Sequence, residues 1–71
     1  MSRDEQFFLN QMAAQDTTAR VTIAKLGLGQ GWAFKILREW TEKGWYKGTL
    51  LAIDLGKLTE EGKKAGKHAF D

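Results

Sequence analysis

Residues 26–46 read Leu-Gly-Leu-Gly-Gln-Gly-Trp-Ala-Phe-Lys-Ile-Leu-Arg-Glu-Trp-Thr-Glu-Lys-Gly-Trp-Tyr, and this stretch decides how the rest of the chain is understood. Ala33, Ile36, Leu37 and Trp40 recur at i, i+3, i+4 and i+7, the spacing that lines one side of an α-helix. Glycines bound the pattern. Gly27 and Gly29 form a tight turn ahead of it, and Gly44 closes it just after Lys43, whose charge suits the negative end of the helix dipole. The spacing therefore predicts a helix over about residues 30–43. One stripe of that helix is buried, and the opposite face carries Gln30, Gly31, Phe34, Lys35, Arg38 and Thr41.

Upstream, Ser2-Arg3-Asp4-Glu5 fits a capping box, in which the serine hydroxyl and the glutamate carboxylate satisfy free backbone donors. Phe8, Met12 and Gln15 lie on one stripe with Leu9 and Ala13 beside it, so a first helix should run to about Gln15. The next segment is less uniform. Asp16 or Thr17 would cap a second helix bearing Ala19, Ile23 and Leu26, but Thr17, Thr18, Val21, Thr22 and Ile23 are β-branched. A short strand over 20–23 is the competing reading. The helix is preferred because Leu26–Gly29 then becomes the turn between two helices.

Downstream of Gly44 the composition becomes β-like through Trp45, Tyr46, Thr49 and Ile53, with turn positions at Gly48, Asp54 and Gly56. The alternation is imperfect and defines neither strand register nor hairpin tip. Thr59 then reads as an N-cap, with Glu60 and Glu61 in the first turn of a last helix. That helix contains Gly62 and Gly66, each costing roughly 1 kcal/mol relative to Ala, which predicts a short or frayed element.

Seventy-one residues are expected to form a single small domain over 1–71. A chain this size buries only about 60% of its unfolded surface. Three Trp, four Phe and one Tyr partly offset that shortage. The chain has no Cys, which excludes disulfides and thiolate metal sites, and the single His68 builds no metal site alone. The longest apolar run, Leu50–Ile53, is far too short to span a membrane, and no apolar region of signal-peptide length follows the charged start Met1–Gln6. A cytoplasmic protein without membrane association is expected. The net charge of +2 is unevenly spread. Residues 17–48 hold Arg20, Lys25, Lys35, Arg38, Lys43 and Lys47 against only Glu39 and Glu42, whereas residues 1–16 are net acidic. This asymmetry is compatible with a polyanionic partner and equally with an ordinary solvated surface.

Four pieces in order carry a family resemblance: Leu26-Gly27-Leu28, Ile36-Leu37-Arg38, Lys43-Gly44-Trp45 and Leu58-Thr59-Glu60-Glu61-Gly62. None is specific alone, but together they resemble the winged helix-turn-helix DNA-binding domains. The resemblance implies an α+β, mostly helical fold: a three-helix core containing the helix-turn-helix, then a small β-hairpin wing and a short C-terminal helix. It also implies that the helix at about 30–43 enters the major groove of double-stranded DNA, as expected of a transcriptional regulator. Gln30, Gly31, Trp32, Phe34, Lys35 and Arg38 would then meet DNA on that helix, with Lys47 and Lys57 beside the wing. Lys63, Lys64 and Lys67 are further candidates for phosphate contact. A homodimer is expected if binding is sequence-specific.

The chain departs from the family pattern at Gly29, where a Ser or Thr cap is usual, in a short hairpin segment, and at Trp32 and Phe34, where small or polar residues are usual. Exposed aromatics on that helix would mark a protein partner, and a winged-helix protein-interaction module is the alternative function. In the other reading both rings tuck against the first helix or the hairpin as core. No grouping supports catalysis. His68 has no partner at a recognisable spacing, and Gly27–Gly31 lacks the Lys-Ser/Thr of a phosphate loop. Neither an enzyme, a cofactor nor a metal is expected.

Overall fold

The computed structural model describes all 71 residues. Its elements are α1 (Arg3–Ala14), α2 (Ala19–Leu26), α3 (Gln30–Lys43), β1 (Tyr46–Lys47), a 3-10 turn (Ile53–Leu55), β2 (Lys57–Leu58) and α4 (Glu60–Lys67). The architecture is mostly helical α+β: a three-helix core with a helix-turn-helix, a small hairpin and a short fourth helix. No helix is long and apolar enough to cross a membrane.

The apolar stripe of α3 faces inward along its whole length, with Ala33, Ile36, Leu37 and Trp40 all buried. Phe8, Leu9 and Met12 of α1, Ala19 and Ile23 of α2, and Tyr46 and Leu58 of the hairpin complete the core. Phe8 sits at its centre, its ring 4.8 Å from that of Trp40. The turn from α3 into β1 requires Gly44, whose φ of 81° lies in the left-handed region that a Cβ disfavours.

α1 begins as expected at Ser2, whose hydroxyl accepts the Glu5 N–H at 3.2 Å. The reciprocal half of the capping box is replaced by a long-range bond. The Glu5 carboxylate instead accepts the indole N–H of Trp40 at 3.1 Å. Trp40 is completely buried, and a buried indole without a partner would be costly.

Residues 19–26 are helical, so the strand alternative is not realised. Burial of Ala19, Thr22 and Ile23 outweighs the modest propensity penalty of β-branching. The cap differs from expectation. Thr18, not Asp16 or Thr17, occupies the N-cap, and its hydroxyl makes no capping bond. The backbone carbonyl of Gly56, in the hairpin, accepts the Ala19 N–H at 3.1 Å instead.

The hairpin pairs Tyr46 with Leu58 and Lys47 with Lys57 in antiparallel register. Two-residue strands supply little ladder energy, so side chains brace the structure. The buried Tyr46 hydroxyl donates to the Ile53 carbonyl and accepts the Gly56 N–H at 2.9 Å. At the tip, the Thr49 hydroxyl accepts the Ala52 N–H at 3.2 Å and donates to the Ala52 carbonyl at 3.0 Å.

Burial pushes the Tyr46 phenol up to about 12; the Gly56 N–H works against that shift and the nearby Asp54 charge adds to it. An unfolded tyrosine ionises near pH 10. Between these values the unfolded chain releases a proton that the folded chain retains, so stability falls as pH rises. This contribution is complete below about pH 10 and is lost by about pH 12, amounting to about 2–3 kcal/mol. Denaturant melts at neutral pH and at about pH 11 should show Tyr46→Phe to be less alkali-sensitive than the parent chain. At neutral pH the same variant should be about 1–3 kcal/mol less stable, because the Gly56 N–H loses its partner.

α4 is short, eight residues, as its two glycines predict. Its cap forms as expected, with Thr59 Oγ1 accepting the Gly62 N–H at 3.2 Å, and the same hydroxyl donates to the Gly44 carbonyl at 2.6 Å. The two glycines are contact surfaces. A Cβ at Gly62 would overlap the Trp45 carbonyl oxygen. One at Gly66 would lie 2.5 Å from Ala13 Cβ and 2.7 Å from the Leu9 carbonyl oxygen. The bare Gly62 lets α4 approach the Trp45 backbone, and the bare Gly66 lets it lie directly on α1, where Asn10 and Gln6 donate side-chain amide bonds to the carbonyls of Gly66 and Ala69 at 3.1 and 2.8 Å.

Candidate functional site

The outward face of α3 is where most of the expected site residues gather. Gln30, Gly31, Lys35 and Arg38 are all exposed. Neither Lys35 nor Arg38 has a carboxylate within 4.0 Å, so both charges are free to meet an outside group. The helix presenting them is fixed by four buried residues on its other side and by the Glu5–Trp40 bond. Its first turn has no side-chain cap, because Gly29 stands at the N-cap, and backbone N–H groups there remain available to an acceptor.

Trp32 and Phe34 do not stand free on this face. Both are half-buried and packed against the core. The Trp32 ring lies 6.0 Å from Phe8 of α1, which matches the reading in which it tucks against the first helix. Phe34 lines a groove of about 550 Å³ instead of projecting outward.

Lys47 and Lys57 are exposed and directly opposite one another across the hairpin. Like charges so placed repel, and they concentrate positive potential on one side of the sheet. Lys57 is partly compensated by Asp16 at 3.4 Å. No hydrogen bond or ion pair joins these lysines to the α3 face. Among the other candidates, Lys63 lies 3.7 Å from Glu60, while Lys64 and Lys67 are exposed without an ion-pair partner. Lys43 covers the Trp45 ring at 4.7 Å, a cation–π contact that helps cap the end of α3.

A second constellation is not foreseeable from the sequence. Arg20 Nε donates to Asp54 Oδ2 at 2.8 Å and Arg20 Nη2 to Oδ1 at 3.2 Å, a two-pronged bond from α2 to the 3-10 turn of the hairpin. Asp54 is nearly buried, and the hydrogen bonds from Arg20 hold its carboxyl below the usual range against the opposing effect of burial. The pair forms one wall of the groove. Ile23, Ala24, Leu28, Phe34 and Ala52 supply its apolar lining, and Gln30 stands at its rim. A sequence signal for Asp54 exists: it is a lone acid in the apolar run Leu50–Leu55. Nothing local identifies Arg20 as its partner.

Beyond the groove, Leu50 and Leu51 at the hairpin tip are 106% and 92% exposed, with no part of the chain covering them. No group of three or more His, Asp or Glu side chains is arranged to hold a metal ion. No protein-family model, curated protein or solved structure matches the chain.

Proposed function

We propose that the chain is a winged helix-turn-helix DNA-binding protein of the cytoplasm, acting as a transcriptional regulator. α3 is the recognition helix and the hairpin is its wing. The carrying observation is the outer face of α3, where Lys35 and Arg38 stand unpaired beside Gln30 and Gly31 on a rigidly seated helix. Arg and Lys suit guanine edges and phosphates, and Gln pairs with adenine in two bonds. Lys47 and the less free Lys57 supply phosphate contacts from the wing. Because Trp32 and Phe34 are largely engaged with the core, a protein-docking role for α3 has less apolar surface to draw on.

The test is fluorescence anisotropy of a labelled random duplex titrated at several salt concentrations. Micromolar binding is expected, weakening steeply as salt rises because each phosphate contact releases counterions. An absence of binding even at low salt would overturn the proposal.

A further inference from the structure

We infer that Arg20 and Asp54 are the positioning pair of the hairpin, setting where Lys47 and Lys57 meet DNA relative to Lys35 and Arg38. The inference rests on the DNA-binding reading above. The hairpin needs such a device. Its sheet pairs only Tyr46 with Leu58 and Lys47 with Lys57, and no bond joins its lysines to α3. Residues 48–56 hydrogen-bond to a helix at two places only, both on α2. The Gly56 carbonyl accepts the Ala19 N–H at 3.1 Å, and the Asp54 carboxylate accepts from Arg20 at 2.8 and 3.2 Å. A single backbone bond is a pivot about which the hairpin can rock. The second link, one residue along α2 from the first, removes that freedom.

The form of the bond suits positioning better than stability. The Arg20 side chain is 58% exposed, so water screens its charge and the pair adds little to folding. The Asp54 side chain is only 9% exposed and stands between the half-buried Ile53 and Leu55. An apolar side chain could fill that place without taking a charge out of water. What the pair supplies is direction. A planar guanidinium meeting both carboxylate oxygens fixes angle as well as distance, which neither an ammonium nor an apolar contact does. Asp54 lies three residues before Lys57, on a 3-10 turn that touches both α2 and α3. Arg20 and Asp54 also wall the groove that Gln30 and Phe34 of α3 line. A shift of this turn therefore moves the hairpin lysines against the recognition helix.

Duplex anisotropy of the intact chain carrying Asp54→Asn or, separately, Arg20→Lys tests the inference. Asp54→Asn removes a negative charge, so charge alone would strengthen binding to a polyanion. Positioning predicts the opposite sign, a loss of roughly fivefold. Arg20→Lys keeps the charge but loses the fork, and should weaken binding by a similar factor. Lys47→Ala should cost roughly fivefold in the parent chain and less than about twofold in either variant, because its phosphate contact is already lost there. Amide hydrogen exchange without DNA gives a second reading. Exchange within residues 46–58 should quicken in both variants while α1, α3 and α4 keep their protection. Circular dichroism checks that each variant is folded. Should Asp54→Asn unfold, Arg20→Lys, changed at an exposed side chain, carries the same test. A folded variant with unchanged or raised affinity would overturn the inference and leave the DNA-binding reading standing. So would unaltered exchange in the hairpin, or a Lys47→Ala cost as large in the variants as in the parent. A parent chain without duplex affinity would overturn the DNA-binding reading itself, and this inference with it.

Discussion

Gly66→Ala is expected to lower the thermal midpoint by roughly 10 °C or more, although helix propensity alone predicts the opposite sign. In an exposed helix, replacing Gly by Ala gains about 1 kcal/mol. At Gly66 the new methyl would sit 2.5 Å from Ala13 Cβ and 2.7 Å from the Leu9 carbonyl oxygen, far inside normal contact. The α1 backbone cannot yield cheaply, so α4 must lift away. The Asn10 and Gln6 bonds to the Gly66 and Ala69 carbonyls then stretch or break. Overpacking costs about 1–3 kcal/mol, and each unpaired polar group adds about 1 kcal/mol or more, so the loss exceeds the propensity gain. A net loss of about 2 kcal/mol is large against the roughly 4–10 kcal/mol expected of a chain this size. Thermal and denaturant melts of Gly66→Ala beside Lys67→Ala, an exposed neighbour, separate packing from propensity. A stabilised Gly66→Ala would refute the packing account of α4.

Lys35→Ala combined with Arg38→Ala should weaken duplex binding by roughly 100-fold or more at moderate salt, leaving the fold intact. Both residues are exposed and neither has an ion-pair partner to strand. Each bond to base or phosphate contributes about 1–3 kcal/mol. Where both side chains bind phosphate, the slope of log affinity against log salt should become shallower by about 1.8. If Arg38 instead reads a base edge, its removal should relax sequence preference with little change in slope. Anisotropy titrations of the double variant at three salt concentrations, with helicity checked by circular dichroism, read both quantities. Unchanged affinity would move the interface off the outer face of α3.

What can be read from the sequence follows the range over which each signal acts. α3 is legible to its ends because its cause is local: four apolar residues at helical spacing and a glycine that closes the turn. Its free Lys35 and Arg38 follow from the same geometry. The short α4 is legible from its two glycines, but their packing role is not, because they answer to Trp45, Leu9 and Ala13, up to 57 residues away in the chain. The partner of Glu5 is Trp40, at a separation of 35, so a local capping rule can assign only half of that side chain's work. The hairpin escapes a period-two reading because each strand has only two residues, and Tyr46 and Asp54 do what a longer ladder would do. The groove is invisible for a related reason: its walls come from α2, α3 and the hairpin, and no single segment bears its pattern.

The carbonyl of Gly56 stands where a side-chain cap would normally begin α2. One residue thus serves two elements, receiving the Ala19 amide while its own N–H holds the Tyr46 hydroxyl. The hairpin consequently cannot open at Gly56 without freeing the first amide of α2, which couples the two in local unfolding. A disturbance at Gly56 is then felt at the first turn of α2, and a sheet of only four residues helps set how readily that helix frays.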